Sequence, residues 1–252
     1  MPRFARFIGI DYSGAKGPHD PVPGIKAFEV FEGELPKEVV PLRGRHWSRA
    51  MLADWLASTL SDSPPALVGL DHGFAFPKLY YLRHRLHDWP QFLRHFAHAM
   101  PTHQLSIEEL RHQHRLLSES AGLLRLCEAW TAGAKSVFQF DMQGSVAKST
   151  YAGLPWLALL RERLGERAFF WPFDGWTPPD GGVHVFCEVY PALYKRRYRK
   201  PGLGPDAFDA WVIVQWMKEM QGREVLREYF QPPLTDEERA QAQLEGWILG
   251  VR

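Results

Sequence analysis

Residues 4–14 read FARFIGIDYSG, an almost continuous apolar run that stops at Asp11 and passes into a Tyr-Ser-Gly turn. A short apolar run that is closed by turn-forming residues is typical of a buried strand followed by a loop. The pattern recurs at residues 66–71, ALVGLD, where the apolar run stops at Asp71 before another loop. We therefore expect two buried strands, each with an aspartate at its carboxyl end.

The segments between and after these strands set the expected element order. Residues 24–32 and 34–42 are two extended segments that meet at Gly33, which predicts a hairpin whose proline-containing second strand lies at a sheet edge. Residues 47–60 have the apolar spacing of a helix, with Ser48 as its cap. This part of the chain therefore predicts two paired strands and then a helix between the two aspartate-ending strands.

The second half of the chain adds an insertion, a strand and a long helix. Residues 78–165 are predicted to be mainly helical, with a capping-box pattern at 106–109 that opens a segment running to Trp130. Residues 183–190 alternate as a strand, and a long apolar helix starts at Pro205. The predicted order, β-β-β-α-β-(α)-β-α, differs from the repeating β-α pattern of doubly wound folds. We expect one domain over residues 1–252 with a helical insertion at 78–165.

Composition excludes several protein classes. Of the 252 residues 45% are hydrophobic and 23% are charged, so neither a disordered nor a fibrous protein is indicated. The net charge of +1 excludes neither a nucleic-acid partner nor a small-molecule one. Cys127 and Cys187 form no C-x-x-C pair, and we expect reduced, buried thiols. No apolar run is long enough for a membrane span, so we expect a cytoplasmic protein without a membrane partner.

Five acids occupy positions where a carboxylate is costly or shares a face with another. Burying a carboxylate in an apolar strand costs roughly several kcal/mol of folding free energy unless a cation or a proton neutralises the charge. Simple alternatives remain open for some members, since strand-end aspartates can be turn residues and an aspartate after Pro205 can be a helix cap. A set of carboxylates without matching His or Cys ligands favours Mg²⁺ or Mn²⁺ over zinc. The candidate metal ligands are Asp11, Asp71, Glu188, Asp206 and Asp209.

At these residues the sequence resembles the DUF429 family of predicted RNase H-like nucleases, which is related to the RuvC-like branch of the ribonuclease H superfamily. The resemblance covers nearly the whole chain. It rests on six short motifs in order: GIDxSG from Gly9, LD from Leu70, RLCE from Arg125, EVYP from Glu188, DAFDA from Asp206 and EGWI from Glu245.

The resemblance implies an α/β protein with a ribonuclease H-like fold, in which a central mixed five-stranded sheet is flanked by helices. It also implies that the aspartates of the first and fourth strands meet an aspartate of the last long helix. We therefore expect a metal-dependent nuclease that hydrolyses phosphodiester bonds with two ions of Mg²⁺ or Mn²⁺. The expected catalytic residues are Asp11, Asp71, Glu188 and Asp209, with Asp206 completing the metal site.

Other residues are expected to contact the substrate or to support the site. A basic run with one tyrosine follows Glu188 and could contact phosphates, although a solvated basic loop is equally consistent with it. The expected nucleic-acid-binding residues are Lys195, Arg196, Arg197, Arg199 and Lys200, and the supporting residues are Ser13, Lys135 and Lys148, with Gln143-Gly144-Ser145 near them. We interpret the histidines of the insertion, His95, His98, His103, His112 and His114, as surface residues rather than as a metal site.

Two other functions remain open. The chain could be a non-catalytic nucleic-acid or protein-binding module that has kept the fold. It could also be a phosphotransferase, because actin-like sugar kinases share a strand-one aspartate followed by small residues. The sequence shows no G-x-x-x-x-G-K-[ST] motif and no duplicated β-β-β-α-β half, which places the phosphotransferase below the other two.

Overall fold

The structure is a computed structural model that describes residues 3–113, 122–131, 133–140, 142 and 144–252. The strands of the described part are β1 (Arg6–Asp11), β2 (Lys26–Phe31), β3 (Lys37–Val39), β4 (Ala66–Asp71), β5 (Ala168–Phe170) and β6 (His184–Glu188). The α-helices of this part are α1 (Arg49–Ser61), α2 (Lys78–His84), α3 (Trp89–Ala99), α4 (Ile107–His112), α5 (Leu126–Trp130), α6 (Ala147–Leu164), α7 (Pro205–Gly222), α8 (Leu226–Tyr229) and α9 (Asp236–Glu245). The chain is thus an α/β protein.

The strands form one mixed sheet in the order β3-β2-β1-β4-β6-β5. The first three strands pair antiparallel, whereas β1, β4, β6 and β5 run parallel. The predicted hairpin is confirmed, with Gly33 in the turn at a φ of +85° and β3 at the sheet edge. The expected count of five strands is wrong, because β5 adds a three-residue edge strand beside β6. A run that short carries no periodicity by which a sequence could reveal it.

Helices cover both faces of the sheet. On one face α1 and α3 pack with α6 over the apolar residues of β1 and β4, around Ile8 and Val68. On the other face α7 lies across β1 and β2, and its Ile213 and Trp216 belong to a second core with Phe7. Ser48 caps α1 by accepting a hydrogen bond from the backbone N–H of Met51, as predicted.

Two glycines bring α7 unusually close to the sheet. Gly9 and Gly69 are direct neighbours in the parallel register of β1 and β4. A Cβ at Gly9 would lie 2.6 Å from the carbonyl oxygen of Ala210, and a Cβ at Gly69 would lie 2.7 Å from Cγ2 of Ile213. Each glycine stands two residues before a strand-end aspartate. The missing side chains therefore let the first turns of α7 reach the carboxyl ends of these two strands.

The described part of the insertion is mainly helical, but its long predicted helix is interrupted. The capping box of Ser106 and Glu109 is present and opens α4. That helix ends at His112, and α5 is a separate helix that starts at Leu126. The prediction of one helical segment from the capping box to Trp130 is therefore wrong over residues 122–125, which are not helical. Residues 114–121 lie outside the described part of the chain.

None of the described helices combines the length and the apolar character needed to cross a membrane. Both cysteines are buried free thiols, as expected from their separation in the sequence.

Candidate functional site

The centre of the candidate site is a pair of aspartates at the carboxyl ends of β1 and β4. Asp11 and Asp71 are the last residues of these strands and are direct neighbours in the parallel register. Both residues are partly buried, and each carboxylate acts on the pKa of the other. The carboxyl ends of parallel strands are a common place for ligands in α/β sheets, and the register places these two acids side by side there.

Burial and neighbouring negative charge make the ionised forms of Asp11 and Asp71 unfavourable. Burial raises the pKa of Asp11 to about 9, and the nearby Asp71 carboxylate adds to the effect. Burial likewise raises the pKa of Asp71 to about 8, with repulsion from Asp209 as the next cause. The ammonium group of Lys195 opposes both shifts. The surrounding protein therefore compensates the two carboxylates incompletely, and a proton or a cation stabilises them.

Asp209 lies beside this pair but already has a partner. It stands on the first turns of α7, and its two carboxylate oxygens accept hydrogen bonds from Nζ of Lys195 at 3.1 and 3.0 Å. Asp206 is exposed in the first turn of the same helix, where Gly204 is the N-cap. The alternative interpretation of Asp206 as the cap is therefore wrong. Its charge still acts on Asp11.

A cleft of about 330 Å³ opens next to these acids. Its walls include Asp71, Asp209 and Lys195 on the sheet side, and Ser145 and Ser149 at the start of α6 on the other. The volume is at the lower end of the range of small-molecule pockets, roughly 300–1,000 Å³. The cleft is therefore large enough for one nucleotide-sized group beside the carboxylates.

The approach of α6 to the cleft depends on Gly14. A Cβ at this position would lie 2.1 Å from the carbonyl oxygen of Lys148, in the first turn of α6. The loop that contains Gly14 is held by Arg49, whose guanidinium donates to the carbonyl oxygens of Ser13 and Ala15 at 3.2 and 2.7 Å. The turn after β1 is thus fixed against both α1 and α6. The close approach of α6 explains the glycine at position 14.

The three aspartates share this region without forming a single ligand set. Among the residues that the structure describes, no three His, Cys, Asp or Glu side chains lie close enough together to hold a metal ion. Asp11 and Asp71 are neighbours in the register of β1 and β4, whereas Asp209 forms an ion pair with Lys195. The arrangement offers two carboxylates to a cation and a third that is already paired with an ammonium group.

Glu188, expected as a metal ligand, is instead held by an arginine of the insertion. Its two carboxylate oxygens accept hydrogen bonds from Nη1 and Nη2 of Arg125 at 2.7 and 2.6 Å, and one of them also accepts from the backbone N–H of Phe74 at 3.0 Å. Only 3% of Glu188 and 1% of Arg125 is exposed. The compensation that a buried carboxylate requires comes here from a guanidinium group.

Arg125 also bonds the carboxylate of Glu128 and the backbone of Glu245 in the same buried cluster. Its Nε donates to Glu128 at 3.0 Å, and its Nη1 also donates to the carbonyl oxygen of Glu245 at 3.2 Å. The Glu245 carboxylate accepts the backbone N–H of Leu126 at 2.6 Å. We call Arg125, Glu128, Glu188 and Glu245 the arginine cluster. Sequence reasoning missed it, although an arginine three residues before a glutamate at a helix start is a signal that could have suggested an i, i+3 pair.

The basic segment, residues 195–200, follows β6, and its first residue lines the cleft. Lys195 faces the cleft, and Arg197 contacts Glu219 of α7 at 3.4 Å. The remaining three cations of the segment are exposed and form no ion pair with any other described residue; they are Arg196, Arg199 and Lys200. The segment thus places one cation at the cleft and three exposed cations close to it in sequence.

The predicted supporting residues have different surroundings. Lys135 lines a small cavity of about 40 Å³ that shares Asp71 with the cleft. Lys148 points to the surface and contacts Glu108 at 3.1 Å. Ser13 lies in the loop after β1, where its Oγ accepts from the backbone N–H of Ala15 at 3.3 Å. Lys135 therefore lies near the acids, whereas the Lys148 side chain points to the surface and only its backbone approaches the loop after β1. Gln143 lies outside the described residues.

The histidines of the insertion lie away from these acids. His98 and His112 are exposed, whereas His95 and His103 are half-buried, so the surface interpretation holds for the first two. His114 lies outside the described residues. A different histidine, at position 72, is buried beneath the site and packs against the ring of Tyr12 at 4.6 Å. Burial lowers the pKa of His72 to about 4, so this ring is neutral at physiological pH.

Comparison of the chain with models of known protein families, with curated proteins and with solved structures found no match.

Proposed function

We propose that this chain is a metal-dependent nuclease with a ribonuclease H-like fold, which hydrolyses phosphodiester bonds of a nucleic acid. The observation that carries the proposal is the side-by-side position of Asp11 and Asp71 at the ends of two parallel strands, where Asp71 lines a cleft with Asp209 and Lys195. The sheet supports the fold assignment, because three antiparallel strands are followed by a parallel strand on the other side of β1.

The residues fit a hard divalent cation. Asp11 and Asp71 offer oxygen donors without histidine or cysteine, the set that Mg²⁺ and Mn²⁺ prefer. Their raised pKa values indicate that positive charge at this point is favourable. When bound, such an ion would supply an acidified water and charge for the phosphate oxygens. Asp11 and Asp71 would hold it, while Glu188 is left to the arginine cluster.

The chain's own residues would bind and orient the nucleic acid. Lys195 stands in the wall of the cleft, and Arg196, Arg199 and Lys200 are exposed close to it in sequence. Cations at these places suit contacts with successive phosphates of a strand. On the opposite wall Ser145 and Ser149 provide hydroxyl groups. The site can therefore hold a phosphodiester between the acids and the start of α6.

A non-catalytic nucleic-acid-binding module is the second candidate. The ion pair between Lys195 and Asp209 favours it, because this pair occupies an acid that a two-ion nuclease would use. The side-by-side position of Asp11 and Asp71 argues for catalysis, since a binding module gains nothing from two adjacent carboxylates that repel phosphate.

The deciding experiment is a cleavage assay with labelled single-stranded DNA, duplex DNA, RNA, RNA–DNA hybrid and branched DNA in Mg²⁺ or Mn²⁺. We expect cleavage of at least one substrate that requires the metal and that falls by at least about 100-fold in Asp11→Asn. Asp54→Asn, a change at an exposed acid of α1, is the matched control and should cleave like the wild type. Absence of cleavage by folded wild-type protein on every substrate, together with retained binding, would establish the second candidate instead.

A further inference from the structure

Lys195 occupies an unusual position for a residue of a basic surface segment. It begins a 3-10 turn, Lys195–Arg197, that follows β6, and its side chain reaches back across the cleft to α7. Its Nζ lies 3.0 and 3.1 Å from the two carboxylate oxygens of Asp209. Of the Lys195 side chain 41% is exposed, so the ammonium group borders the cleft while it pairs with the acid.

The same ammonium group acts on all three aspartates of the site. It contacts Asp209 directly, and its charge reaches both Asp11 and Asp71. Three ionised carboxylates and one ammonium group carry a net charge of −2, which a single divalent cation would neutralise. A second divalent ion beside Asp209 would have to displace Lys195 or lie against its positive charge, which costs Coulomb energy.

Lys195 also keeps a donor for a substrate. A protonated lysine has three N–H donors, and the two oxygens of Asp209 take two of them. Because the Lys195 side chain is partly exposed and lines the cleft, the third donor can serve a phosphate oxygen of a bound strand. A lysine is well suited to this task, because it binds phosphate as a compact point charge.

We propose that this site takes one divalent cation, held by Asp11 and Asp71, and that Lys195 replaces a second cation beside Asp209 and contacts the substrate phosphate. The inference rests on the proposed function and deepens it. It replaces the two-ion arrangement expected from the sequence with one ion and one fixed ammonium group. Lys195 is thereby a catalytic residue, distinct from the exposed cations that follow it.

The experiment counts bound Mn²⁺ per chain by electron paramagnetic resonance and by calorimetric titration, with full-length protein freed of metal. We expect one Mn²⁺ for the wild type and two for Lys195→Met, in which Asp209 is released. Lys195→Arg keeps a cation at the same place and should bind one. Arg196→Met removes the neighbouring exposed cation and should also bind one, which separates a local effect from a general loss of positive charge.

The outcomes separate this inference from the proposed function. Two ions bound by the wild type, or a single ion bound by Lys195→Met, would overturn the replacement by Lys195 while the nuclease proposal stands. No Mn²⁺ bound by folded wild type would overturn the proposed function itself, and the inference with it. The count does not depend on finding the natural substrate.

Discussion

Two groups of carboxylates lie on neighbouring strands of the same sheet, and they are neutralised in opposite ways. In the arginine cluster, Glu188 at the end of β6 is held by a buried guanidinium group through two hydrogen bonds. At the ends of β1 and β4, Asp11 and Asp71 lie side by side, and the described cation that acts on both is Lys195, which pairs with Asp209. Glu188 therefore receives its compensating positive charge from the chain itself, whereas Asp71 lines a cleft that a cation from solution can enter.

The difference shows how to separate structural acids from functional ones. A buried ion pair stabilises a fold weakly, but a buried carboxylate that loses its partner is strongly destabilising. Glu188 is such a partnered acid and links β6 to the insertion. Asp11 and Asp71 lack a comparable partner, and raised pKa values at a cleft are typical of acids that bind a ligand or react.

Removal of the guanidinium should have the largest effect on stability. We expect Arg125→Met to lower the free energy of unfolding by about 3–5 kcal/mol, because it leaves buried carboxylates without a cation. Urea unfolding followed by circular dichroism measures this. Arg163→Met breaks an ion pair that is about half exposed and should cost less than about 1 kcal/mol. Equal losses of unfolding free energy in Arg125→Met and Arg163→Met would show that the arginine cluster contributes no more to stability than a half-exposed ion pair.

A methyl group at Gly9 should separate α7 from the acids. A Cβ there would lie 2.6 Å from the carbonyl oxygen of Ala210, so the helix must shift. We expect Gly9→Ala to lower the free energy of unfolding by about 1–3 kcal/mol and to weaken Mn²⁺ binding. Gly222→Ala, at the other end of the same helix and in open space, should be neutral or stabilise by up to about 1 kcal/mol. Unchanged Mn²⁺ affinity in a folded Gly9→Ala protein would show that the position of α7 does not matter to the site.

The unpartnered pair should make the protein less stable as pH rises. The pKa of Asp71 is about 8 in the folded protein, against 3.8 as the ordinary value, so the folded chain keeps a proton that the unfolded chain has lost between these values. For each such proton, the free energy of unfolding falls by up to about 1.4 kcal/mol for every pH unit by which the pH rises through this window. The advantage of Asp71→Asn over the wild type in metal-free urea unfolding should therefore grow from about pH 4 to about pH 8. A constant difference would contradict the strained pair.

The sequence predicted the acid pair because its signal was local and repeated. Asp11 and Asp71 each end a short apolar run, and the register of two parallel strands then places them side by side. The arginine cluster could not be predicted in the same way. Arg125 lies 63 residues before Glu188, inside an insertion whose path the periodicity does not determine. The apolar strand around Glu188 indicated that its carboxylate needs a compensating positive charge. It did not indicate which residue supplies that charge.

The role of Lys195 was hidden for a different reason. A run of five cations with one aromatic residue indicates a phosphate-binding surface, and nothing in the run distinguishes its first member. The distinction arises when the chain turns after β6 and brings that first lysine against α7. Likewise the edge strand β5 and the end of α4 depend on tertiary contacts that a window of sequence does not contain.

The most direct test of the central claim compares the two groups of acids in one experiment. Thermal unfolding of wild type, Asp11→Asn and Glu188→Gln is measured at about pH 8 with and without Mn²⁺. A ligand that binds the folded state raises Tm, so the wild type should gain stability with the ion. We predict that Asp11→Asn loses this gain without loss of metal-free stability, and that Glu188→Gln has a lower Tm but keeps the gain. A gain that survives in Asp11→Asn and disappears in Glu188→Gln would contradict the account.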